Sequence, residues 1–316
     1  MTREMGDRRF FLCTEVATLA QLDALDLSCL DRVYLGNPYC VLFKDNLLSD
    51  VDGLSTAVKR LRSAGVSPIV SLIAMPSNEQ LPALDGIIDA GISAAADGFE
   101  VHSAGVLHHL SQDKRVAGFT IVTGGFANVY TRRTAALYGQ MGASVIVPNY
   151  ELPQEAVDSI ASSTETPLEL LVHGKIPLGL SEKCLLVQEK DRLSTGCPES
   201  CTHDIWLEFH RWSLRSLGTA TYSGKDLCRF PQLPVLWSRG YRNFRITGLC
   251  ESGAAVTECA KVYRKALQRL DAGLAVDLAS IDPLKSLSKY GFCNGYLSGR
   301  SGCEWIEQAG TAPISS

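Results

Sequence analysis

Three cysteines lie close together in one stretch of the 316-residue chain, at Cys184, Cys197 and Cys201. Their spacings are 13 and 4 residues, and the last two belong to the turn-prone run Gly-Cys-Pro-Glu-Ser-Cys. Thiolates are soft ligands suited to zinc or iron–sulfur clusters, and an irregular loop can wrap a metal without breaking a helix. The spacing therefore predicts a thiolate site for zinc or for a cluster.

Such a site needs a fourth ligand, and the sequence leaves several candidates open. The thiol candidates are Cys40 and Cys228, and the imidazole candidates are His203 and His210. Cys40 comes shortly after a strand predicted at residues 32–35, which favours it if the cysteine-rich loop meets the same sheet edge. We interpret the remaining cysteines as packing residues, because free cysteine behaves as a small hydrophobe.

The elements that must position these residues follow a strand-then-helix rhythm. Short apolar, β-branched runs predict strands at residues 10–16, 32–35, 68–73, 98–102, 119–123, 144–148, 168–173 and 241–247. Strands that alternate with helices indicate βαβ units and a parallel sheet. Eight of them predict an α/β fold of the (β/α)8, TIM-barrel-like class, with a doubly wound open sheet as the alternative.

The rhythm breaks between residues 174 and 240, which are rich in Cys, Ser, Gly and charge. We interpret this stretch as an insertion after strand seven, within a barrel-like domain spanning residues 1–280. A loop at that point lies at the carboxyl face of a barrel, where active sites are built. Residues 281–316 are predicted to form a C-terminal extension packed on the barrel, and residues 289–296 are too glycine-rich for regular structure.

Polar residues at the predicted strand ends are candidates for catalysis, because they would face one barrel mouth. For the histidines a hydrogen-bonded structural role is the alternative, and for Glu15 the alternative is a helix cap or salt bridge. Arg245 is a candidate anchor for an anionic substrate, with a solvated strand edge as the alternative. The candidate catalytic set is Glu15, His102, Asn128, His173 and Arg245.

Composition excludes several classes of protein. The chain has 30 Lys and Arg against 34 Asp and Glu, so a surface-wide coat for nucleic acid is disfavoured and nucleic acid is an unlikely partner. No apolar run approaches a membrane span, and the charged N-terminus argues against a signal peptide, which predicts a cytoplasmic protein. Dinucleotide, phosphate-loop, nucleophile-elbow and zinc-protease motifs are absent from the sequence.

Residues 168–184 read Leu-Glu-Leu-Leu-Val-His-Gly-Lys-Ile-Pro-Leu-Gly-Leu-Ser-Glu-Lys-Cys. This run resembles the core motif of the collagenase-like peptidases, family U32, and within that family the UbiV-like branch of ubiquinone biosynthesis. Two further cysteines follow at the branch's offsets of 13 and 4 residues. Residues 126–130 and 291–296 also resemble the family, so the likeness spans nearly the whole chain.

The resemblance implies a barrel-type protein with a [4Fe–4S] cluster on Cys40, Cys184, Cys197 and Cys201. It implies oxygen-independent hydroxylation of an aromatic substrate, a ubiquinone precursor, in a heterodimer with a related UbiU-like subunit. Relatives hydroxylate bases in tRNA or ribosomal RNA, and prephenate is implicated as the hydroxyl donor.

Three alternatives stay open at this point. The same thiolates would hold zinc in a non-catalytic scaffold, or the chain would be a factor for hydroxylation of RNA bases. A peptidase is disfavoured, since the family's peptidase-type cysteine is absent near Pro177.

Overall fold

A computed structural model of the chain describes residues 9–181, 184, 205–210, 212–300 and 302–305. The described strands are β1 (Phe11–Val16), β2 (Arg32–Leu35), β3 (Ser67–Ser71), β4 (Gly98–Val101), β5 (Thr120–Thr123), β6 (Val145–Ile146), β7 (Glu169–Leu180), β8 (Trp206–Phe209), β9 (Trp212–Leu217), β10 (Ala220–Cys228), β11 (Asn243–Ile246) and β12 (Phe292–Cys293). The described helices are α1 (Leu19–Asp23), α2 (Val51–Ser63), α3 (Leu81–Ser93), α4 (Ala104–Gln112), α5 (Arg132–Gln140), α6 (Gln154–Ala161), α7 (Leu233–Ser238), α8 (Gly253–Asp271) and α9 (Asp282–Lys285).

Eight of these strands run parallel in the order β6-β5-β4-β3-β2-β1-β11-β7. A parallel bridge between Ile146 and Leu168 joins the two ends of that order, so the sheet curls round on itself. The predicted TIM-barrel-like α/β fold is therefore confirmed, and the open doubly wound sheet was the wrong alternative. All eight predicted strands exist, each within a few residues of its predicted start.

Alternation along the strands separates two apolar layers. In β2, Val33 faces the large core beneath the helices, whereas Tyr34 faces a smaller cluster inside the barrel. The helices complete the outer layer because their apolar residues recur on one face. In α2 that face is Leu54, Ala57, Val58 and Leu61, all buried. This packing fixes the strand ends, and therefore the residues at the barrel mouth.

The stretch after strand seven is more regular than its composition indicated. β7 continues to Leu180 and pairs antiparallel with β10, which pairs with β9, and β9 with β8. The glycine-rich tail also differs from the prediction, because β12 pairs parallel with β10. The predicted ligands Cys197 and Cys201, with the alternative His203, lie outside the described residues.

No helix in the described part of the chain is both long enough and apolar enough to cross a membrane.

Candidate active site in the barrel interior

The barrel interior is charged, although such interiors are ordinarily filled by branched aliphatic side chains. Strand alternation brings polar side chains from six strands to the inner face, and all are at most 7% exposed. They are Glu15, Arg32, Tyr34, Ser71, Glu100, Glu169 and Arg245, with His102 directly after β4. Burying so many charged and polar groups costs free energy, so these side chains must pair or form hydrogen bonds with one another.

Arg245 lies at the centre of the cluster and is 1% exposed. Its Nε donates to Glu169 Oε1 at 2.5 Å, and its Nη1 donates to Glu100 Oε1 at 2.6 Å and to Glu15 Oε1 at 3.2 Å. The guanidinium also lies 3.7 Å from the centre of the Tyr34 ring. Arg245 is therefore no solvated strand edge, and its charge is already shared among three carboxyl groups.

Glu169 closes one side of the cluster. The Tyr34 hydroxyl donates to both of its oxygens, at 3.0 and 2.8 Å, and Arg32 Nη1 lies 3.3 Å from Oε2. Because Glu169 is fully buried and hydrogen-bonded on both oxygens, it holds Arg245 in place rather than facing a substrate.

Glu100 links Arg245 to His102. Its Oε2 accepts from the Ser71 hydroxyl at 2.7 Å and lies 3.4 Å from His102 Nε2. Gly124 makes room for this pair, because a methyl group there would come within 2.2 Å of the imidazole and 2.9 Å of Glu100 Oε1. The close approach of β5 therefore requires glycine at this position.

The pKa values of the two carboxyl groups nearest the mouth are shifted in opposite directions. Burial and the Glu100 charge raise the pKa of Glu15 above its usual range, although Arg245 opposes them. Burial alone would raise the pKa of Glu100 too, but Arg245, His102 and Ser71 together hold it well below its usual range. Surroundings that shift the pKa values of two neighbouring acids in opposite directions are typical of acid–base sites. They make Glu15 the carboxyl group that can exchange a proton.

An aromatic layer covers the cluster. The Tyr39 ring lies 5.4 Å from the imidazole of His102, 5.3 Å from the ring of Phe126 and 6.3 Å from that of Tyr222, measured between centroids. In the described part of the chain, neither Nδ1 of His102 nor the hydroxyl of Tyr222 has a hydrogen-bond partner, and both are buried. Such groups are the available hydrogen-bonding partners for a ligand at this layer.

Cys40 and Cys184 both lie beside Gly218, in the turn between β9 and β10. The thiol of Cys184 lies 3.4 Å from the Gly218 carbonyl oxygen. A methyl group on Gly218 would lie 2.7 Å from Cys40 Cβ and 3.4 Å from its Sγ. The Asn46 side chain fixes the loop that carries Cys40 by donating to the Cys40 carbonyl at 3.0 Å.

Cys228, the alternative thiol, lies elsewhere. Its Sγ is fully buried against α8, 3.7 Å from the Tyr263 hydroxyl, and burial raises its pKa to about 12. Over the described residues, no set of three or more His, Cys, Asp and Glu side chains is arranged to hold a metal ion. Two of the four predicted cluster ligands, Cys40 and Cys184, therefore lie beside the same glycine.

Of the five predicted catalytic residues, the structure unites Glu15, His102 and Arg245. His173 instead packs against α8, with Nδ1 3.3 Å from the Tyr263 hydroxyl, and burial lowers its pKa to about 4. Asn128 is exposed in a left-handed turn, where its side chain accepts from Asn149 at 3.4 Å. His210 lines a separate cleft.

Sequence reasoning missed several members of the cluster, because it considered only the strand ends. They are Arg32, Tyr34, Ser71, Glu100 and Glu169. The usable signal was period-two alternation, since Glu100 precedes His102 by two residues and therefore shares its face.

Fold and site together define a barrel protein with a charged interior and a cysteine pair at its carboxyl face. The chain belongs to Peptidase family U32, whose sequence profile matches residues 17–307.

Three curated relatives carry names that describe RNA hydroxylation. The chain is 20% identical to "tRNA hydroxylation protein P" of Escherichia coli (strain K12), over 84% of this chain and 70% of the relative. It is 21% identical to the protein of the same name from Haemophilus influenzae, over 84% and 69%. It is 20% identical to "23S rRNA 5-hydroxycytidine C2501 synthase" of Escherichia coli (strain K12), over 76% of this chain and 36% of that protein.

Among solved structures, the chain is similar to the octameric ribulose-1,5-bisphosphate carboxylase/oxygenase from Pyrococcus horikoshii OT3. The TM-score is 0.52 at 11% identity, covering 90% of this chain and 64% of that chain. The U32 peptidase Mk0906 gives a TM-score of 0.47 at 13% identity, covering 77% and 94%. At such identities, the first of these similarities supports the fold alone.

Proposed function

We propose that this protein hydroxylates a base in RNA, most directly in tRNA, without molecular oxygen and with a [4Fe–4S] cluster. The names of its relatives support the reaction and the substrate class. They give no support to the expectation, drawn from net charge, that nucleic acid is not a partner. The observation that carries the proposal is that Cys40 and Cys184 both lie beside Gly218, while Tyr39 of the aromatic layer directly precedes Cys40.

The cysteines present fit such a cluster. Two thiols that are 144 positions apart in sequence (184 minus 40) contact the same glycine, while Cys197 and Cys201 would supply the other two ligands. An all-thiolate set is the usual ligation of a four-iron cluster, which would relay electrons between the base and the hydroxyl donor. Tyr39 directly precedes Cys40, so the cysteine site and the aromatic layer are adjacent along the chain.

The residues of the chain itself would bind the protons and transfer them. Replacing a ring C–H by C–OH removes two electrons from the base, and a hydroxyl donor of the prephenate type takes them up as it releases its oxygen. The ring proton must leave and the donor must gain one, and Glu15 is the carboxyl group poised to carry it. Nε and Nη1 of Arg245 bind carboxylates and so position Glu15 and Glu100. Its buried Nη2 has no hydrogen-bond partner among the described residues and would be the atom that binds the hydroxyl donor.

A ubiquinone precursor is the second candidate substrate. The run at residues 168–184 favours it, through its resemblance to the ubiquinone branch of the family. A related partner subunit, the heterodimer and a cytoplasmic location stay predictions from sequence.

The deciding experiment incubates anaerobically purified protein with tRNA or ribosomal RNA transcripts and prephenate, and then digests the RNA to nucleosides for mass spectrometry. The proposal expects one nucleoside to gain the mass of a single oxygen atom. A parallel incubation replaces RNA by a prenylated phenol. Hydroxylation of the phenol with unchanged RNA would overturn the RNA assignment and establish the second candidate.

The cluster assignment has its own test. Cys40→Ala and Cys184→Ala should each abolish the visible absorbance and lower iron and sulfide to background, because a cubane needs all its thiolates. Cys228→Ala is the matched control and should keep the colour. A brown, iron-loaded Cys184→Ala protein, or a wild-type protein that binds zinc and no sulfide, would contradict the assignment.

A further inference from the structure

Arg229 directly follows β10 and is 3% exposed, yet it belongs to neither the charged cluster nor the cysteine site. Its backbone amide donates to the Val172 carbonyl at 2.9 Å, and its Nη1 donates to the Leu171 carbonyl at 2.9 Å. These two bonds fix the guanidinium against β7. Its buried Nε has no hydrogen-bond partner among the described residues. A buried donor without a partner indicates a ligand or a water molecule at that atom.

The guanidinium of Arg229 borders the barrel interior. Leu171 and Leu227 both belong to the apolar cluster inside the barrel. A methyl group on Gly295 would lie 2.7 Å from Leu227 Cδ1 and 3.3 Å from Arg229 Nη2, so these two atoms border the same space. Leu171 is also the β7 residue that pairs with Arg245 of β11, whereas β10 pairs with the other edge of β7. Because neighbouring strands lie about 4.8 Å apart, the two arginines flank Leu171 from opposite sides.

The charge of Arg229 is not balanced by an acid. In the described part of the chain it has no carboxylate partner, and the titratable side chains that interact with its charge are Cys293, Tyr263 and Tyr150. Burial raises the pKa of each of these three groups, so all are uncharged at neutral pH. Burial lowers the pKa of Arg229 only to about 10, so the guanidinium stays protonated. An unpaired buried charge is costly, which favours an anionic ligand over a water molecule.

We propose that Arg229 binds a carboxylate group of the hydroxyl donor inside the barrel. A guanidinium matches a carboxylate through two parallel N–H donors, and Nε and Nη2 form such a pair on one side of the group. Nη2 of Arg245 is likewise buried without a partner among the residues that the structure describes. Two separate guanidiniums with an unpaired donor fit a molecule that carries two carboxylates. The inference rests on the proposed function for the identity of the ligand, and it adds an anchoring residue.

The test is isothermal titration of the anaerobically purified full chain with prephenate, in the absence of RNA. Arg229→Met removes the charge and the N–H donors and should weaken prephenate binding at least about tenfold, because hydrogen bonds to a charged group contribute that much. Arg229→Lys keeps the charge without the paired donors and should bind with intermediate affinity. Arg242→Met is the matched control and should bind as the wild type does. The Arg242 guanidinium also donates to backbone carbonyls, but it stacks on Trp237 in the outer layer.

Thermal melting separates this role from a purely structural one. Without ligand, Arg229→Met should melt close to the wild type, because replacing an unpaired buried charge by an apolar side chain is neutral or stabilising. Prephenate should raise the melting temperature of the wild type more than that of the variant. A lower melting temperature with unchanged prephenate affinity would show that Arg229 only holds β10 against β7, and would overturn the proposal. If Arg229→Met does not fold, Arg229→Lys decides, and an affinity equal to that of the wild type would overturn it.

The outcome is separate from the fate of the proposed function, because the titration contains no RNA. If the wild type binds no prephenate, or if Arg229→Met binds it as tightly as the wild type does, the carboxylate site is overturned even where RNA is hydroxylated. If Arg229→Met loses prephenate binding while the wild type hydroxylates the prenylated phenol and leaves RNA unchanged, the carboxylate site stands and the RNA assignment falls.

Discussion

Glu15 and Glu100 share one guanidinium, yet their surroundings favour opposite protonation states. Besides Arg245, Glu100 has two further partners, Ser71 and His102, whereas Glu15 has the longest of the three Arg245 contacts. With both arginines and all three carboxylates ionised, the cluster would carry one excess negative charge. Protonation of Glu15 removes that excess, so the cluster is balanced when Glu15 is neutral.

Replacing each of these acids by glutamine should therefore have opposite effects on stability. A raised folded-state pKa means that the contribution of Glu15 is fully present below the ordinary value of 4.5 and is lost as pH rises through the folded pKa. Glu15→Gln should accordingly gain stability relative to wild type as pH rises from about 4 to about 8.

Glu100 behaves in the reverse sense. Its lowered pKa contributes stability above 4.5, and that contribution is lost as pH falls. Glu100→Gln leaves the Arg245 charge short of a buried partner and should cost about 3–5 kcal/mol at neutral pH. Denaturant titrations of both variants at several pH values measure these free energies of unfolding. Equal losses for the two variants at neutral pH would contradict the opposite pKa shifts of Glu15 and Glu100.

Residue types at strand ends predicted part of this cluster and could not predict the rest. Glu15 and His102 were identified because the carboxyl ends of parallel strands meet at one edge. His173 fits the same rule by position, but the register of β11 against β7 shifts at Val172, between the pairs Arg245–Leu171 and Ile246–His173. A bulge of this kind re-aims the side chain that follows it, and the sequence carries no local sign of it.

At the scale of elements, the parallel strands were predictable and the antiparallel ones were not. The barrel strands are short apolar runs, and β2 was predicted with its observed bounds of Arg32–Leu35. From Ala220 to Lys225 in β10, buried and half-buried residues alternate. The series contains serine, glycine and lysine, so the alternation cannot be recognised from hydrophobicity alone. The pairing of β7 with β10 therefore emerges only from the three-dimensional structure.

The β9–β10 turn makes a specific prediction about the cysteine pair. Gly218 has a φ of +63°, and a methyl group there would collide with Cys40 Cβ at 2.7 Å. Gly218→Ala should therefore displace the loop of Cys40 and reduce the iron bound per chain. Gly240→Ala is the matched control, because Gly240 has a φ of +89° and nothing lies within 4 Å of the added methyl.

Both substitutions introduce a left-handed alanine and should cost about 1 kcal/mol of stability. Iron and sulfide analysis after anaerobic reconstitution then separates the two. Equal iron content in Gly218→Ala and Gly240→Ala would show that the turn does not support the cysteine site.

At the scale of the whole molecule, the barrel is weakest where β6 meets β7, a junction that we call the seam. β6 has only two residues in its strand, and its link to β7 is the single bridge between Ile146 and Leu168, with the Ile146 amide donating to the Pro167 carbonyl at 3.0 Å. Elsewhere in the ring, neighbours such as β1 and β2 pair over four residues. Local opening follows the elements with the fewest interactions, so the seam should open before the rest of the barrel.

Hydrogen exchange measured by mass spectrometry tests this expectation under native conditions. Amides of β6 should exchange at least about tenfold faster than those of β2 and β4, although all three strands are buried. The matched control is β5, which pairs with β6 on one side and with β4 over four residues on the other. β5 should be protected like β4, because it pairs with β4 over four residues. If β6 exchanges as slowly as β4, the barrel opens as one unit and the single bridge is not its weak point.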